Sequence, residues 1–182
     1  MTATDAALLL RDFVNTLDAE TGTDELAAPD RLTAWLRSQN LLPPGTAAGP
    51  ADLRTAVALR EGLRDALRAH HDGAAPGRGL DAVLAGLPLR VAVPGDADPV
   101  LVPVGDGAAT ALARLAAAVM AAVAGGTWQR LKICPACAWA FLDTSRNRSR
   151  TWCSMRVCGN RTKTRAYRAR RAAPDETAPP RR

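Results

Sequence analysis

Cys134-Pro-Ala-Cys137 and Cys153-Ser-Met-Arg-Val-Cys158 hold every cysteine of the chain, four in a 25-residue window, with none in the 133 residues before it. Two close pairs about fifteen residues apart are the pattern of a tetrahedral Zn²⁺ site, in which four thiolates arrive as two local knuckles. Iron–sulfur ligation is the lesser alternative, because sulfur ligands alone do not exclude it. Disulfide pairing is disfavoured by the spacing and by the reducing compartment expected for a chain whose N-terminus shows no secretion signal. The expected location is therefore the cytoplasm.

The charge follows the cysteines. Residues 127–173 carry twelve Lys/Arg against one acid, Asp143, whereas residues 1–126 carry ten Arg against fifteen Asp/Glu, and the remainder is neutral. A net charge of +6 overall is thus a +11 segment attached to a −5 segment. Clustered cations on a small module indicate a polyanion partner, since binding phosphates releases their condensed counterions.

The reversal falls at Gly125-Gly126, which predicts a boundary between residues 1–126 and 127–173, with a Pro-rich disordered tail at 174–182. Apolar residues make up 47% of the chain but aromatics only 4%, so the core is expected to be helix on helix with many alanines. Helical periodicity marks Ala6–Leu17 capped by Asp5, Arg31–Gln39 capped by Asp30, Asp52 to His71, Leu80–Leu84 and Ala108–Ala124. Leu89–Val93 and Val100–Val104 alternate as strands and predict a hairpin. No apolar run approaches the ~18–20 residues of a membrane span. His70 and His71 sit at a helix end, where the dipole favours solvated cations over a metal or catalytic role. No catalytic constellation stands out, and the chain is read as a non-enzyme.

Within the basic module, Cys134–Cys137 predicts a zinc knuckle. Trp139–Leu142 and Arg150–Trp152 are read as the two strands of a hairpin around the polar turn 143–149. Ser154 is placed to cap a helix starting near Met155, with Cys158 in its first turn. The expected fold is α+β: a mostly helical N-terminal domain with a small β-hairpin, then a treble-clef-like finger of knuckle, hairpin and basic helix. One structural zinc on Cys134, Cys137, Cys153 and Cys158 would hold a module too poor in apolar residues to fold alone.

The segments Trp139, Phe141-Leu-Asp-Thr-Ser-Arg-Asn147, Trp152-Cys-Ser-Met155 and Cys158-Gly-Asn-Arg161 resemble the CGNR zinc-finger family. Asp12-Phe-Val-Asn-Thr16 resembles the opening motif of the ABATE domain that precedes this finger in such proteins. The family's first cysteine pair is often separated by four residues, where this chain has two. The resemblance implies a stress-related bacterial transcription regulator with a DNA-binding zinc module.

Candidate nucleic-acid contacts are Arg146, Arg148 and Arg150, at a two-residue period that would point all three to one side, and Arg161, Lys163, Arg165, Arg168, Arg170 and Arg171 around the helix. Arg161 is open to two roles, an ion pair with Asp143 or a phosphate contact. Gly159 and Asn160 are read first as packing residues, and Trp139, Phe141 and Trp152 as core before stacking platform. DNA is the favoured partner, with RNA next. A protein-interaction adaptor binding an acidic protein surface is the competing class, and an enzyme with its site in the N-terminal domain is disfavoured. That domain is open to sensing a small-molecule effector or to forming a homodimer.

Overall fold

The computed structural model describes residues 1–75, 77–95 and 99–172; the tail expected at 174–182 lies outside them. Helix α1 spans Ala3–Val14. Its cap is Thr2, whose hydroxyl accepts from the Asp5 amide, while the Asp5 carboxylate accepts from the Thr2 amide, both at 3.1 Å. Asp5 is therefore the third-position member of a capping box, not the cap. The helix stops at Val14 instead of Leu17 because Thr16 turns back, its Oγ1 donating to the Phe13 carbonyl at 2.7 Å.

A short antiparallel pair then follows that periodicity did not reveal, β1 (Leu17–Asp18) with β2 (Thr23–Asp24). Helix α2 (Pro29–Ser38) begins with Pro29 behind an uncapped Ala28, so Asp30 lies in its first turn without capping it. Helix α3 (Pro50–Asp72) starts at Gly49, whose amide donates to the Asp52 carboxylate at 2.8 Å. Helix α4 (Gly79–Leu84), strands β3 (Leu89–Ala92) and β4 (Val100–Pro103) and helix α5 (Gly107–Ala124) complete the N-terminal part. The β3–β4 pair is antiparallel, as predicted.

The core is built on small residues. Ala111, Ala113, Ala118 and Ala122 of α5 are fully buried, as are Ala6, Ala7 and Leu10 of α1. Gly125 ends α5 where an added Cβ would lie 2.0 Å from the Cβ of Ala3, so only glycine lets these two helix ends meet. One expectation fails here. α5 has the length and apolarity of a membrane span, with 18 residues and a mean hydropathy of 1.7, yet half of it is buried in the protein. Its apolarity is mostly alanine used for close helix packing, and Arg114 on it donates to the Leu41 carbonyl at 2.9 Å. Phe13 and Trp35 join α1 to α2 with ring centroids 5.2 Å apart.

After a 3₁₀ turn at Trp128–Arg130, strands β5 (Leu131–Ile133) and β6 (Ala140–Leu142) form a third antiparallel pair, with Lys132 opposite Phe141. A π-helical turn at Met155–Gly159 leads into α6 (Asn160–Ala172). Leu131, Ile133 and Ala140 belong to the same buried cluster as the N-terminal helices, while Cys134, Phe141 and Cys158 form a second, smaller one. The fold is α+β and ends in a treble-clef-like arrangement of knuckle, hairpin and helix.

Candidate metal centre and nucleic-acid interface

The knuckle is the loop of the β5–β6 hairpin. The Cys134 amide donates to the Trp139 carbonyl at 2.9 Å, and the Ala138 amide to the Cys134 carbonyl at 2.8 Å. Ala138 adopts φ +58°, a left-handed conformation that turns the chain at the expense of its methyl group. This corrects the strand pairing expected from sequence. Trp139–Leu142 does supply a strand, but its partner is the segment before the knuckle, and Arg150–Trp152 is not a strand.

Asp143 accounts for the difference. Fully buried, its carboxylate accepts from Lys132 Nζ at 2.9 Å, from the Ser145 amide and hydroxyl at 2.9 and 2.6 Å, and from the Arg150 amide at 2.9 Å. Burial by itself raises its pKa, but these donors outweigh it and hold the group well below the usual carboxylate range. Lys132 Nζ also donates to the Arg148 carbonyl at 2.6 Å. The 143–150 segment is thus wrapped around a buried ion pair, whose satisfied backbone groups leave no ladder for a second strand.

The four sulfurs lie within 4.8 Å of one another, with Cys137–Cys153 and Cys153–Cys158 at 3.6 Å. Tetrahedral Zn–S bonds of about 2.3 Å place thiolates about 3.8 Å apart, so the cluster fits one zinc ion. The separations far exceed a disulfide bond of about 2.05 Å, and all four cysteines are free thiols. Sulfurs this close enclose one ion and leave no room for a multi-iron cluster.

Burial acts to raise the thiol pKa values of Cys134, Cys137 and Cys153, but the amides of Cys153, Ala136 and Cys137 overcome this at Cys134 and bring it to about 7. Cys153, for which burial is the largest cause, is pushed up to about 11, and Cys137 rises further. Four thiols crowded together cannot all ionise unaided; a dication at their centre removes that conflict.

Ser154 caps the π-helical turn, its hydroxyl accepting from the Val157 amide at 3.3 Å, and Cys158 is carried inward as predicted. Gly159 packs so closely that an added Cβ would lie 2.5 Å from Met155 Sδ and 3.4 Å from the Trp152 ring. Asn160 is exposed at the start of α6. Arg161 does not pair with Asp143, whose partner is Lys132. Its Nη1 lies 2.6 Å from Glu20 Oε1, and its Nη2 donates to Cys158 Sγ at 3.6 Å. A four-thiolate zinc site carries about two negative charges, and Arg161 lies where it offsets part of them.

The remaining cations fall into two groups. On α6, every residue from Thr162 to Arg171 is exposed, including Lys163, Arg165, Arg168, Arg170 and Arg171. The first four make no ion pair among the described residues, while Arg171 rests on Tyr167, 5.8 Å from the ring centroid. In the 143–150 segment, Arg146, Arg148 and Arg150 are exposed but not aligned as a strand face. Arg148 has φ +54°, and Arg150 turns back to donate to the Cys153 carbonyl with its guanidinium 5.5 Å over Phe141. Phe141 is core, Trp152 is half-buried, and Trp139 is 40% exposed and so does not belong to the core.

Three side chains, two of them missed in the sequence and one, His70, read there as solvated, tie the finger to the helices. Asn15 pairs with both backbone groups of Ala140: its Nδ2 donates to the carbonyl at 3.0 Å, and its Oδ1 accepts from the amide at 2.7 Å. Arg64, 1% exposed, donates to the carbonyls of Val14 and Leu17 at 3.3 and 3.5 Å and of Ala138 at 3.2 Å. His70 is not solvated; Nδ1 lies 3.0 Å from the Leu131 carbonyl and the ring stands edge-on to Trp128. Burial lowers its pKa, which suits a neutral ring donating from Nδ1. Asn15 was within reach, since it lies inside the Asp12–Thr16 motif. Arg64 was not, because one arginine among several on a long helix carries no mark of burial.

Comparison with family models matches residues 130–171 to the CGNR zinc finger. Residues 8–126 match ABATE, described as "Putative stress-induced transcription regulator". No match is found among curated proteins.

Proposed function

Because the chain belongs to the ABATE family and ends in a CGNR zinc finger, we propose that it is a transcription regulator that binds DNA through the finger. The observation that carries this reading is α6: a helix exposed around its circumference, with five cations that have no acidic partner among the described residues. Such a helix gains little from the fold that bears it, and its charges repel one another until an anion lies between them. At about 1.5 Å per residue its 13 residues extend about 20 Å, enough to lie in a B-DNA major groove about 12 Å wide. The deep, narrow major groove of A-form RNA does not admit a helix, which favours DNA over RNA.

In this reading residues 1–126 and 127–173 are two functional parts, sensing or dimerising and binding. Arg146, Arg148 and Arg150 add phosphate contacts beside Lys163, Arg165, Arg168, Arg170 and Arg171, while Arg161 chiefly supports the metal site. The zinc is structural, as four thiolates fill its tetrahedron and leave no position for a reacting water, so no reaction is assigned to it. Reduced thiols of this kind suit the cytoplasm.

The test is binding of zinc-loaded protein to DNA selected from a random pool, measured against salt. About 4–8 phosphate contacts predict a slope of log affinity on log salt of roughly −4 to −7. A selected sequence should be preferred over bulk DNA by well over tenfold. A flat salt response would rule out the electrostatic interface, and tighter binding to RNA or to an acidic protein surface would favour the competing readings.

A further inference from the structure

A solvent-open cleft of about 640 Å³ lies where α1 meets the finger. Its lining comes from both parts of the chain: Asp12, Glu25 and Trp35 from the helical part, and Trp139, Phe141 and Arg150 from the finger. Its charges are not all engaged. Asp12 is held by its neighbour Arg11 at 2.7 Å, so that pair is satisfied internally. Glu25 has no hydrogen bond or ion pair to its carboxylate among the described residues. The Arg150 guanidinium has only the Cys153 carbonyl and the Phe141 ring. Trp139, a large apolar side chain left 40% exposed, lines the same cleft.

We propose that this cleft binds a small zwitterion, with an ammonium group for Glu25, a carboxylate for Arg150 and a flat apolar body against Trp139. An occupant with a single charge would satisfy one of the two residues and set a like charge beside the other. A neutral one would desolvate both without compensation. Only a molecule carrying both charges meets the two and covers the indole. Binding to the free protein needs no DNA; because Arg150 is shared with the proposed phosphate contacts, its regulatory consequence rests on the DNA-binding reading. An occupant would touch α1 and β6 together and favour the arrangement in which Asn15 holds Ala140.

The test uses the zinc-loaded full chain and calorimetric titration with three probes sharing one ring: L-tryptophan, tryptamine and indole-3-propionate. L-tryptophan should bind at least about tenfold more tightly than either probe lacking one charge. Glu25→Gln should bring L-tryptophan and indole-3-propionate to within about threefold, and Arg150→Gln should do the same for L-tryptophan and tryptamine. Glu25→Gln should leave salt-dependent DNA binding unchanged, which separates failure of the cleft from failure of the DNA interface. Equal affinity for all three probes, no saturable heat with any of them, or undiminished discrimination in Glu25→Gln would overturn the proposal.

Discussion

The side-chain amide of Asn15 is paired with both backbone groups of Ala140, 125 residues away, as a neighbouring strand would be. Ala140 opens β6, and its outward amide and carbonyl would otherwise be an unpaired sheet edge buried from water. Asn15 closes that edge from the end of α1. Replacement by Ala leaves a buried donor and acceptor unmatched, at about 1–3 kcal/mol. Asn15→Ala should lower the urea midpoint and speed hydrogen exchange at the Ala140 amide more than at the amides of α5.

Arg64 links the same two regions from the other side, holding the end of α1 and the left-handed Ala138 of the knuckle. Arg64→Met should destabilise the protein by about 2–3 kcal/mol through its orphaned carbonyls. Because Ala138 lies next to Cys137, it should also weaken zinc retention about tenfold or more, read by competition with a chromogenic chelator. Arg64→Lys should not rescue it, since one ammonium cannot span three carbonyls on α1, β1 and the knuckle.

Asp143 predicts an acid dependence. Its folded pKa lies below the unfolded value, so its contribution is complete above about pH 4 and is lost as pH falls through the folded pKa. Asp143→Asn leaves Lys132 buried without its counter-ion and should cost about 3–5 kcal/mol at neutral pH. The gap between wild type and variant should narrow below about pH 4. Urea midpoints of both proteins from neutral to acid pH check this, and zinc release on acidification, common to both, largely cancels in the difference.

Zinc removal should be felt beyond the finger. Leu131, Ile133 and Ala140 share the buried cluster of the N-terminal helices, so loss of the finger strips part of their cover. Elemental analysis should give about one zinc per chain for wild type and much less for Cys158→Ser. The variant should keep most of its helical circular dichroism but melt at lower temperature, because α1, α3 and α5 still pack on one another. A variant that retained both zinc and melting temperature would contradict the shared core.

The local signals were strong where chemistry is carried by residue type and spacing. Cysteine pairs two and four residues apart can converge on one ion without knowledge of the rest of the fold. Ser154 ahead of Met155 marks a helix start by its own hydroxyl, and the apolar spacing of α3 repeats over many turns. Pairings between distant segments were not legible in this way. Trp139–Leu142 has the composition of a strand, but whether it pairs forward or backward depends on Asp143, whose burial is a property of the folded loop. For the same reason Arg161 and Asp143, an obvious ion pair by composition, find different partners in Glu20 and Lys132.

The sequence by itself determined the metal, the helical core and the location of the positive charge, because each follows from residue type within a short span. Only the tertiary structure decided that the finger is docked, by Asn15 on Ala140, Arg64 on Ala138 and His70 on Leu131. Each of these contacts is made to a backbone group, and every residue carries the same amide and carbonyl. A side chain that recognises backbone leaves no matching letter at the other end of the chain, so its partner is known only when folding brings the two together.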